Sequence, residues 1–495
     1  MRGIDQRRAK TVRSRAARLA MLVGAAMVAV VPAFQAHAQQ PLAAPGKNQQ
    51  AARPNILFVL IDDMGFGDLS IMGNRKVATP NIDRLAEKGV LMTRFYDAAP
   101  ICSPSRAGFF TGRFPAELGF VNYVSGRAFN AQHGQADWLD PKLPNLAQML
   151  KDAGYATGHF GKWHMGGGRD IGDAPWPTAY GFDESYTTFE GLGPRVLVSD
   201  HENDLAKQSE LLGQGPTTWE VKRKLTGLYC EKTIDFVTRN KDRPWFVQLW
   251  LNDVHDPWAP DGTDEEAVQA KAADPDDARY LGAIRGMDRD LGKLFDKLEA
   301  IGEARNTLIV LTSDNGPASL PRYYKDGRTA PGSVLALRGR KWSNYEGGIR
   351  QPLIMAWPDH IPAGVRDDRS VGHGVDLLPT LAAVAGVGVP AGIDGVDLSP
   401  AMAGKPMAAR PALFWAYGKA GKKLPPQPAQ PRDGAPIYAM RDGKWKLLMN
   451  PGGKDLQLYD LEADPGEATD LAARQPAVRD RMRTGLDRWI AALPN

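Results

Sequence analysis

Cys102 opens the pentapeptide Cys-Ser-Pro-Ser-Arg and is one of two cysteines in a chain of 495 residues. The proline suits the first turn of a helix, and Arg106 follows one helical turn after the thiol. A thiol at the start of a helix beside a cation can act as a nucleophile. The alternative is a disulfide with Cys230, although the apolar spacing of residues 228–239 predicts an amphipathic helix in which Cys230 is a buried hydrophobe.

Two groups of oxygen ligands follow apolar runs that are typical of strands. They are Asp62 and Asp63 after residues 56–61, and Asp314, Asn315 and Gly316 after residues 307–312. Ligands bind beyond the carboxyl ends of strands in open α/β sheets, so we expect the two groups to converge. Three carboxylates and a carboxamide suit Ca²⁺ or Mg²⁺ better than zinc. Either group alone could instead cap a helix or form a turn.

Three further segments carry basic or imidazole side chains next to strand-like runs. They are Lys162 and His164 after residues 155–160, His255 after residues 245–251, and Arg338, Arg340 and Lys341 in one basic segment. Two-residue periodicity predicts that Lys162 and His164 lie on the same side of extended backbone and face one pocket. A core histidine beside a surface lysine is the alternative. In the basic segment, any of the three cations could face solvent instead of a site.

Taken in chain order, these short sequence segments between Asn55 and roughly Leu471 resemble the signature segments of the sulfatase family. The resemblance implies that a formylglycine-generating maturation enzyme oxidises Cys102 to Cα-formylglycine. The hydrated aldehyde has two hydroxyls, one that attacks sulfur and one whose deprotonation expels sulfate, so one difficult step becomes two easier ones. Phe109 and Phe110 stand where the family commonly has leucines, which should alter packing but not chemistry.

The same resemblance assigns a role to each candidate residue. Asp62, Asp63, Asp314, Asn315 and the modified Cys102 correspond to ligands of Ca²⁺, with Mg²⁺ as the other possibility. Lys162 corresponds to a sulfate-binding lysine and His164 to the general acid/base that deprotonates the hemiacetal. His255 and Lys341 correspond to groups that bind substrate and stabilise or protonate the leaving oxygen, and Arg106 to the residue that orients the formylglycine.

The charge of this set favours an anionic ester as substrate. Asp62, Asp63 and Asp314 contribute −3, a divalent cation +2, and Arg106, Lys162 and Lys341 +3, which gives a net +2. A sulfate monoester of a sugar or an aryl alcohol matches this charge, and so does a phosphate or phosphonate ester. A non-catalytic binder of sulfated glycans is the alternative from another class, if Cys102 stays unmodified.

Alternation of strand-like runs with helical patterns predicts an α/β fold, with a large mixed central sheet flanked by helices on both faces. The resemblance to sulfatases implies that this sheet has the alkaline-phosphatase-like fold. Helices are expected at about residues 80–89, 144–153 and 280–300, and strands at residues 155–160, 245–251 and 353–357 besides the two above. From about residue 411, shorter segments predict a small C-terminal α+β subdomain, with strands at 444–449 and 457–461 and a last helix.

Residues 1–38 have the pattern of a signal peptide, with seven basic residues, an apolar stretch at 19–33 and an Ala-x-Ala site. Removing its net +6 changes the formal charge from +4 to −2, so the chain has no excess of positive charge for nucleic acid. No later stretch is apolar for long enough to span a membrane. We therefore expect a periplasmic or secreted enzyme, with a linker at 39–53, a catalytic domain at 54–410 and the C-terminal subdomain at 411–495.

Two features outside the motifs bear on the substrate. Trp176 and Trp258 could provide stacking surfaces for a sugar ring, although buried aromatic side chains are more common than stacking platforms. Residues 418–434 are rich in Pro, Lys and Gln and predict a mobile surface loop that could overhang a substrate groove. The sugar, the linkage position and the oligomeric state stay open.

Overall fold

The computed structural model describes residues 53–200 and 204–494, except for the side chains of residues 326 and 327. These residues belong to one compact unit. The expected signal peptide and nearly all of the expected linker lie outside the described residues. Among the described helices, none combines the length and the apolar character that a membrane span requires.

Fifteen strands are present in the described residues. They are β1 (Asn55–Ile61), β2 (Val90–Tyr96), β3 (Ala156–Lys162), β4 (Glu184–Thr188), β5 (Arg195–Val198), β6 (Thr217–Glu220), β7 (Trp245–Leu251), β8 (Thr307–Ser313), β9 (Arg350–Ala356), β10 (Val365–Asp367), β11 (Gly372–His373), β12 (Leu413–Ala416), β13 (Tyr438–Asp442), β14 (Trp445–Asn450) and β15 (Lys454–Asp460).

Twelve α-helices accompany these strands in the same described part of the chain. They are α1 (Pro80–Glu87), α2 (Cys102–Thr111), α3 (Arg127–His133), α4 (Leu146–Asp152), α5 (Leu205–Leu211), α6 (Leu225–Arg239), α7 (Gly262–Val268), α8 (Pro275–Ala300), α9 (Glu346–Ile349), α10 (Leu377–Ala385), α11 (Ser399–Met402) and α12 (Pro476–Ala492).

The first eleven strands form one mixed sheet with the order β10-β2-β9-β8-β1-β7-β3-β4-β5-β6, and β11 also pairs with β2. Strand β9 runs antiparallel to both of its neighbours, whereas the other pairs are parallel. Strand β1 lies between β7 and β8, and Ile61 pairs with Leu251 on one side and Ser313 on the other. The ends of three strands therefore meet at one edge, as the sequence predicts.

Alternate residues of β1 enter two different cores. Leu57, Val59 and Ile61 pack on one face with α8, and Ile56, Phe58 and Leu60 pack on the other face with α2 and α10. All seven residues of β1 are buried, which explains why residues 56–61 are continuously apolar rather than alternating. The predicted sheet with helices on both faces is confirmed.

A second sheet, antiparallel and in the order β12-β13-β14-β15, carries α12 through a core that includes Met482 and Leu486. The predicted C-terminal strands and helix are present, with shifts of a few residues. Helix α8 begins five residues earlier than predicted, because Asp274 caps it by accepting hydrogen bonds from the backbone of Asp276 and Asp277.

Candidate active site

Strand register brings the two acidic groups together. The backbone N–H of Asp62 donates to Leu251 O at 3.1 Å, and that of Asp314 donates to Ile61 O at 3.1 Å. Asp63 then turns away from the strand with φ of 63° and donates its N–H to Asp314 Oδ1 at 3.2 Å. Asn315 Nδ2 donates to Asp63 Oδ1 at 2.7 Å. The side chains of all four residues are fully buried.

Helix α2, which follows β2 in the chain, places Cys102 and Arg106 from its N-terminal half next to this cluster. Cys102 is its first residue, 1 % exposed, and its Sγ lies 3.4 Å from Asp62 Oδ1. Arg106 lies one turn later on the same side of the helix. Its guanidinium donates to Asp314 Oδ2 from Nε at 3.0 Å and from Nη2 at 2.7 Å, and Nη1 donates to Lys162 O at 2.9 Å. Arg106 therefore ties α2 to both β8 and β3.

Lys162 ends β3 and reaches Asp62, with Nζ 2.5 Å from Oδ2. The preceding Gly161 has φ of 117°, and a Cβ there would lie 1.9 Å from Trp250 O, so only glycine allows β3 to approach β7 this closely. His164 has φ of 53° and lies outside the extended strand. The predicted alternation therefore fails after Lys162, and the two side chains line neighbouring cavities instead of one.

Lys341 is the cation of the basic segment that enters the site. Its Nζ lies 2.6 and 2.7 Å from the two carboxylate oxygens of Asp63. Arg338 instead stacks on Tyr345 and donates to the backbone oxygen of Arg432 at 2.9 Å. Arg340 binds carbonyl oxygens of residues 318, 331 and 332. The backbone of the segment is fixed next to α2, since Trp342 N donates to Pro100 O at 2.9 Å.

His255 approaches Asp63 from the loop after β7, with Nε2 3.8 Å from Oδ2. Its Nδ1 lies 2.7 Å from Asp256 O, and because a carbonyl only accepts, Nδ1 carries the proton. Lys222 supports this loop from below: its buried ammonium donates to the carbonyl oxygens of His255 and Pro257. Burial lowers the pKa of Lys222 to about 8, and Asp253 opposes this shift.

The electrostatics of the cluster favour a protonated thiol. Burial and the charge of Asp62 raise the pKa of the Cys102 thiol far above its usual value, despite Lys162 and Lys341. Burial opposes ionisation of Asp62, but the charges of Lys162 and Arg106 hold its pKa well below the usual range. Burial and the charge of Asp62 raise the pKa of Asp314 to about 7. Cys102 is therefore a poor nucleophile in its unmodified form.

Both histidines are neutral at neutral pH. Burial and the charges of Lys162 and Arg106 lower the pKa of His164, and burial and the charges of Lys341 and Lys162 lower that of His255. His164 Nε2 lies 3.3 Å from Val124 O and therefore carries the proton, so its buried Nδ1 keeps a free lone pair without a partner among the described residues. His164 can accept a proton at Nδ1, and His255 can accept one at Nε2.

Two adjacent cavities open on the cluster. The thiol cavity, of about 190 Å³, is lined by Cys102, Asp63, His164, Lys341, Tyr123 and Trp342 among others. The side cavity, of about 270 Å³, is lined by Asp62, Lys162, Glu190, Val196, Lys222 and Arg322 among others. His255, Arg169 and Phe189 line both. The ring of Phe189 contacts His164, with centroids 5.0 Å apart, and lies 5.2 Å from Lys162 Nζ, so it separates the two cavities.

The described residues of the cluster include a candidate metal site. Oxygen and sulfur atoms of Asp62, Asp63 and Cys102 and a ring nitrogen of His255 all lie within 4.8 Å of one another. Asn315 Oδ1 is buried and has no hydrogen-bond partner among the described residues, which is unusual for a carboxamide beside carboxylates. Oxygen ligands of this kind suit Ca²⁺ or Mg²⁺. Asp314 lies outside the 4.8 Å group but is joined to it through Asp63 and Arg106.

The structure thus brings all ten predicted residues to one location. Cys102 and Cys230 are both free, so the disulfide alternative is wrong, and Cys230 is buried in α6 as expected. Trp258 packs in the core against Tyr280 and Tyr323. Neither Trp258 nor Trp176 lines the two cavities, so neither is placed to stack on a ring there.

Sequence reasoning missed Arg169, Phe189, Glu190 and Lys222. The first three have positive φ values of 55°, 50° and 53°, and they lie in loops that no local periodicity describes. The three consecutive glycines at 166–168 were an available signal for an unusual backbone just before Arg169. Lys222 belongs to a run of basic residues that is typical of a solvated surface, and nothing in the run marks it as buried.

Comparison with known proteins gives the class. Residues 54–387 match the sulfatase family, and residues 340–490 match the C-terminal region of N-sulphoglucosamine sulphohydrolase. The chain therefore belongs to the sulfatase family and is a sulfatase with an alkaline-phosphatase-like fold.

Individual relatives agree with this assignment. The chain is 34 % identical over 375 residues to N-acetylgalactosamine-6-sulfatase of Canis lupus familiaris, covering 73 % of this chain and 68 % of that protein. It is 29 % identical over 467 residues to human arylsulfatase A, covering 85 % and 84 %. The crystal structure of Ps i-CgsB in complex with k-i-k-neocarrahexaose superimposes with a TM-score of 0.72 and 28 % identity, covering 89 % and 94 %.

Proposed function

We propose that this sulfatase hydrolyses a sulfate monoester, of a carbohydrate or an aryl alcohol, through a formylglycine made from Cys102. The observation that carries the proposal is the state of the thiol. Cys102 is buried among cations at the centre of the cluster, yet its pKa is raised, so the unmodified side chain has no thiolate for attack. A hydrated aldehyde at this position would supply hydroxyl groups for attack on sulfur and for the later expulsion of sulfate.

Burial of Cys102 also supports maturation before folding. All ten residues of α2 are buried, so an enzyme that reads the Cys-Ser-Pro-Ser-Arg segment needs the chain before this helix is packed. The expected signal peptide would then deliver the mature protein to a periplasm or to the outside of the cell.

Asp62, Asp63, Asp314, Asn315 and the modified residue 102 would hold the cation, most simply Ca²⁺. Bound there, it would polarise a sulfate oxygen and favour ionisation of a nearby hydroxyl. Arg106 would keep Asp314 in place through its two hydrogen bonds and, with Lys162, surround the sulfate position with positive charge. Lys162 and Lys341 would bind sulfate oxygens in exchange for the carboxylates they contact now.

Proton transfers divide between His164 and Lys341. Neutral His164 with its free Nδ1 suits removal of a proton from a hydroxyl at residue 102. Burial opposes protonation of Lys341, but Asp63 raises its pKa, so Lys341 is the protonated group that can donate to the leaving oxygen. His255 Nε2 has no proton to give in its neutral form, so its role is to bind substrate, or to donate only after a bound anion raises its pKa.

The side cavity is the place for the leaving group. It adjoins Lys162 and His255, and its walls include Val196, Leu197 and Pro257. Glu190 is 7 % exposed, and its Oε2 has no hydrogen-bond partner among the described residues, while Oε1 lies 2.8 Å from Arg169 Nε. A free carboxylate oxygen beside an apolar wall fits a ring that bears hydroxyl groups, which favours a sugar over an aryl or steroid alcohol.

The first experiment is mass spectrometry of the peptide that contains residue 102, where conversion lowers the mass by about 18 Da relative to the thiol. In parallel, p-nitrophenyl sulfate turnover should be lost in Cys102→Ala and retained in Cys230→Ala, which removes the other cysteine. An unmodified residue 102 with full binding of sulfated sugars would instead indicate a non-catalytic binder. Full turnover by Cys102→Ala would refute the mechanism.

A panel of matched nitrophenyl sulfate, phosphate and phosphonate esters tests the reaction class, since the charge of the cluster suits all three. Glu190→Gln tests the leaving group: it should raise KM for a sugar sulfate and leave KM for p-nitrophenyl sulfate nearly unchanged. An equal effect on both substrates would contradict the placement of the sugar beside Glu190.

A further inference from the structure

A third cavity, of about 380 Å³, lies between the edge of the central sheet and the C-terminal sheet. We call it the basic cavity and define it by its cations, Arg94, Arg366, Arg369, Lys405, Arg410, Arg441 and Lys444. None of its lining residues lines the thiol cavity or the side cavity. It is therefore a separate site, and its argument does not rest on the proposed function.

Positive charge in this cavity is only partly balanced. Seven cations and two carboxylates, Asp367 and Glu462, line it, which gives a net charge of 7 − 2 = +5. Carboxylates outside the lining pair with three of the cations: Asp368 with Arg366, Asp376 with Arg410 and Asp460 with Lys444. The other four, Arg94, Arg369, Lys405 and Arg441, make no ion pair with the described residues. A concave surface of this charge concentrates anions.

Arg441 and Arg410 each bring to the lining of this cavity a guanidinium nitrogen without a hydrogen-bond partner among the described residues. Arg441 is 4 % exposed, held over the ring of Tyr96 at 4.7 Å and by a hydrogen bond from Nε to Gly443 O at 3.1 Å. Its Nη1 is buried and has no partner among the described residues, and the same holds for Nε of Arg410. Buried guanidinium N–H groups rarely lack an acceptor, and both belong to residues that line this cavity.

We propose that the basic cavity is a second anion-binding site that takes a sulfate group, either as free inorganic sulfate or carried on a glycan. Nη1 of Arg441 and Nε of Arg410, which have no partner among the described residues, would donate to its oxygens, since arginine forms matched hydrogen bonds with oxyanions. Arg369 and Lys405 are exposed at the rim. They extend the positive charge beyond one sulfate group, so a ligand with several anionic groups along a chain gains more contacts than a single ion.

The test is calorimetric titration of the full mature chain with two probes, inorganic sulfate and a size-defined heparin hexasaccharide. The variant R369Q/K405Q removes two rim cations, and R369K/K405R keeps both charges. The matched control K271Q/R474Q removes the same charge from exposed residues outside the cavity. Thermal midpoints check that all variants fold, and p-nitrophenyl sulfate turnover checks the catalytic site separately.

We expect R369Q/K405Q to weaken hexasaccharide binding about tenfold, from the loss of two partly exposed charge pairs. R369K/K405R and K271Q/R474Q should bind like the wild type, and p-nitrophenyl sulfate turnover should not change in any variant. If R369Q/K405Q weakens binding of the hexasaccharide alone, the ligand is a sulfate group carried on a glycan. If it weakens binding of both probes, free inorganic sulfate is a ligand as well. Wild-type binding of both probes by R369Q/K405Q, or equal weakening by K271Q/R474Q, would overturn the proposal.

Discussion

Replacing Lys446 by methionine should be one of the most destabilising single changes outside the active site. Lys446 lies in β14, is fully buried, and has its ammonium 3.0 Å from Glu346 Oε1 and 3.0 Å from Glu467 Oε1. Tyr96 also donates to Glu346 at 2.6 Å. Lys446 is therefore the shared ion-pair partner of two buried carboxylates that come from different parts of the chain.

The cost follows from what K446M leaves behind. Methionine matches the length of the lysine stem, so packing is largely kept, but two buried carboxylates lose their shared partner. Breaking a buried ion pair from one side costs about 3–5 kcal/mol of the free energy of unfolding. Replacing all three residues, as in E346Q/K446M/E467Q, removes both carboxylates together with their lysine and should recover part of that loss, although Arg350 then loses its partner Glu346. The control K444M removes a lysine that is 43 % exposed and paired with Asp460, and should cost about 1 kcal/mol or less.

The penalty should depend on pH. Burial raises the pKa of Glu467 from 4.5 to about 7 in the folded protein, although Lys446 opposes the shift. A raised carboxyl pKa gives stability that is complete below its unfolded value and is lost as pH rises through the folded value. Without Lys446 the pKa rises further, so the cost of K446M should be larger at about pH 8 than at about pH 5.

The assay is urea unfolding followed by tryptophan fluorescence, and the unfolding midpoints of the variants are compared at both pH values. An unchanged dependence of the free energy of unfolding on urea concentration checks that unfolding stays two-state. The reasoning fails if K446M unfolds within about 1 kcal/mol of the wild type, or if the triple variant is no more stable than K446M.

Four further outcomes are expected. F189A should join the two cavities and lower kcat/KM about 10- to 100-fold, because the ring that orients Lys162 and His164 is gone; unchanged kinetics would contradict its role as a wall. R106K should lose most activity although it keeps the charge, because lysine cannot bind Asp314 and the Lys162 carbonyl with one planar group; near-wild-type turnover would argue against this. EDTA should abolish turnover and lower the thermal midpoint, and Ca²⁺ should restore both; a metal-independent rate would exclude the cation site. Burial raises the pKa of Asp97, whose carboxylate oxygens have no partner in the described residues. The thermal midpoint of D97N should therefore rise relative to that of the wild type as pH increases from about 4 to 7. A difference between the two midpoints that stays constant over this pH range would refute this.

Much of the fold follows directly from the sequence. Strands β1, β7 and β8 are short, mainly apolar runs, and such runs are typical of the buried interior of a parallel sheet. Because parallel strands end at the same edge, the acidic groups after β1 and β8 had to meet. The exact bounds of helices were less accessible, since α8 depends on a cap at Asp274 rather than on its apolar pattern.

Site residues that lie in loops were less predictable. Glu190 and Phe189 lie on left-handed backbone, and their position depends on a tight approach of neighbouring loops: a Cβ on Gly168 would lie 2.3 Å from Glu190 Oε2. The basic cavity combines residues near positions 94, 369, 405 and 441, which are adjacent only after both sheets have formed. Local strings contain no information about such assembly.

Residues 418–434 illustrate the same limit. Composition predicts a mobile surface loop, yet Lys423 N donates to Gln132 O and Ala429 N donates to Ser319 O, both at 3.1 Å. Ser319 lies between two residues that line the thiol cavity, Ala318 and Leu320. The segment is thus fixed beside the site, although none of its residues lines the cavity itself.

The segment from Arg338 to Arg350 links the C-terminal sheet to the catalytic cluster. It carries Lys341 at one end and Glu346 at the other, and Gly348 O accepts from the backbone N–H of Gly316, next to Asn315. The buried contact of Glu346 with Lys446 therefore fixes the end of the same segment that holds Lys341 against Asp63. K446M should accordingly lower kcat even at a temperature where it is fully folded, whereas K444M should not. Equal kcat values in folded K446M and K444M would show that the C-terminal sheet stabilises the chain without positioning Lys341.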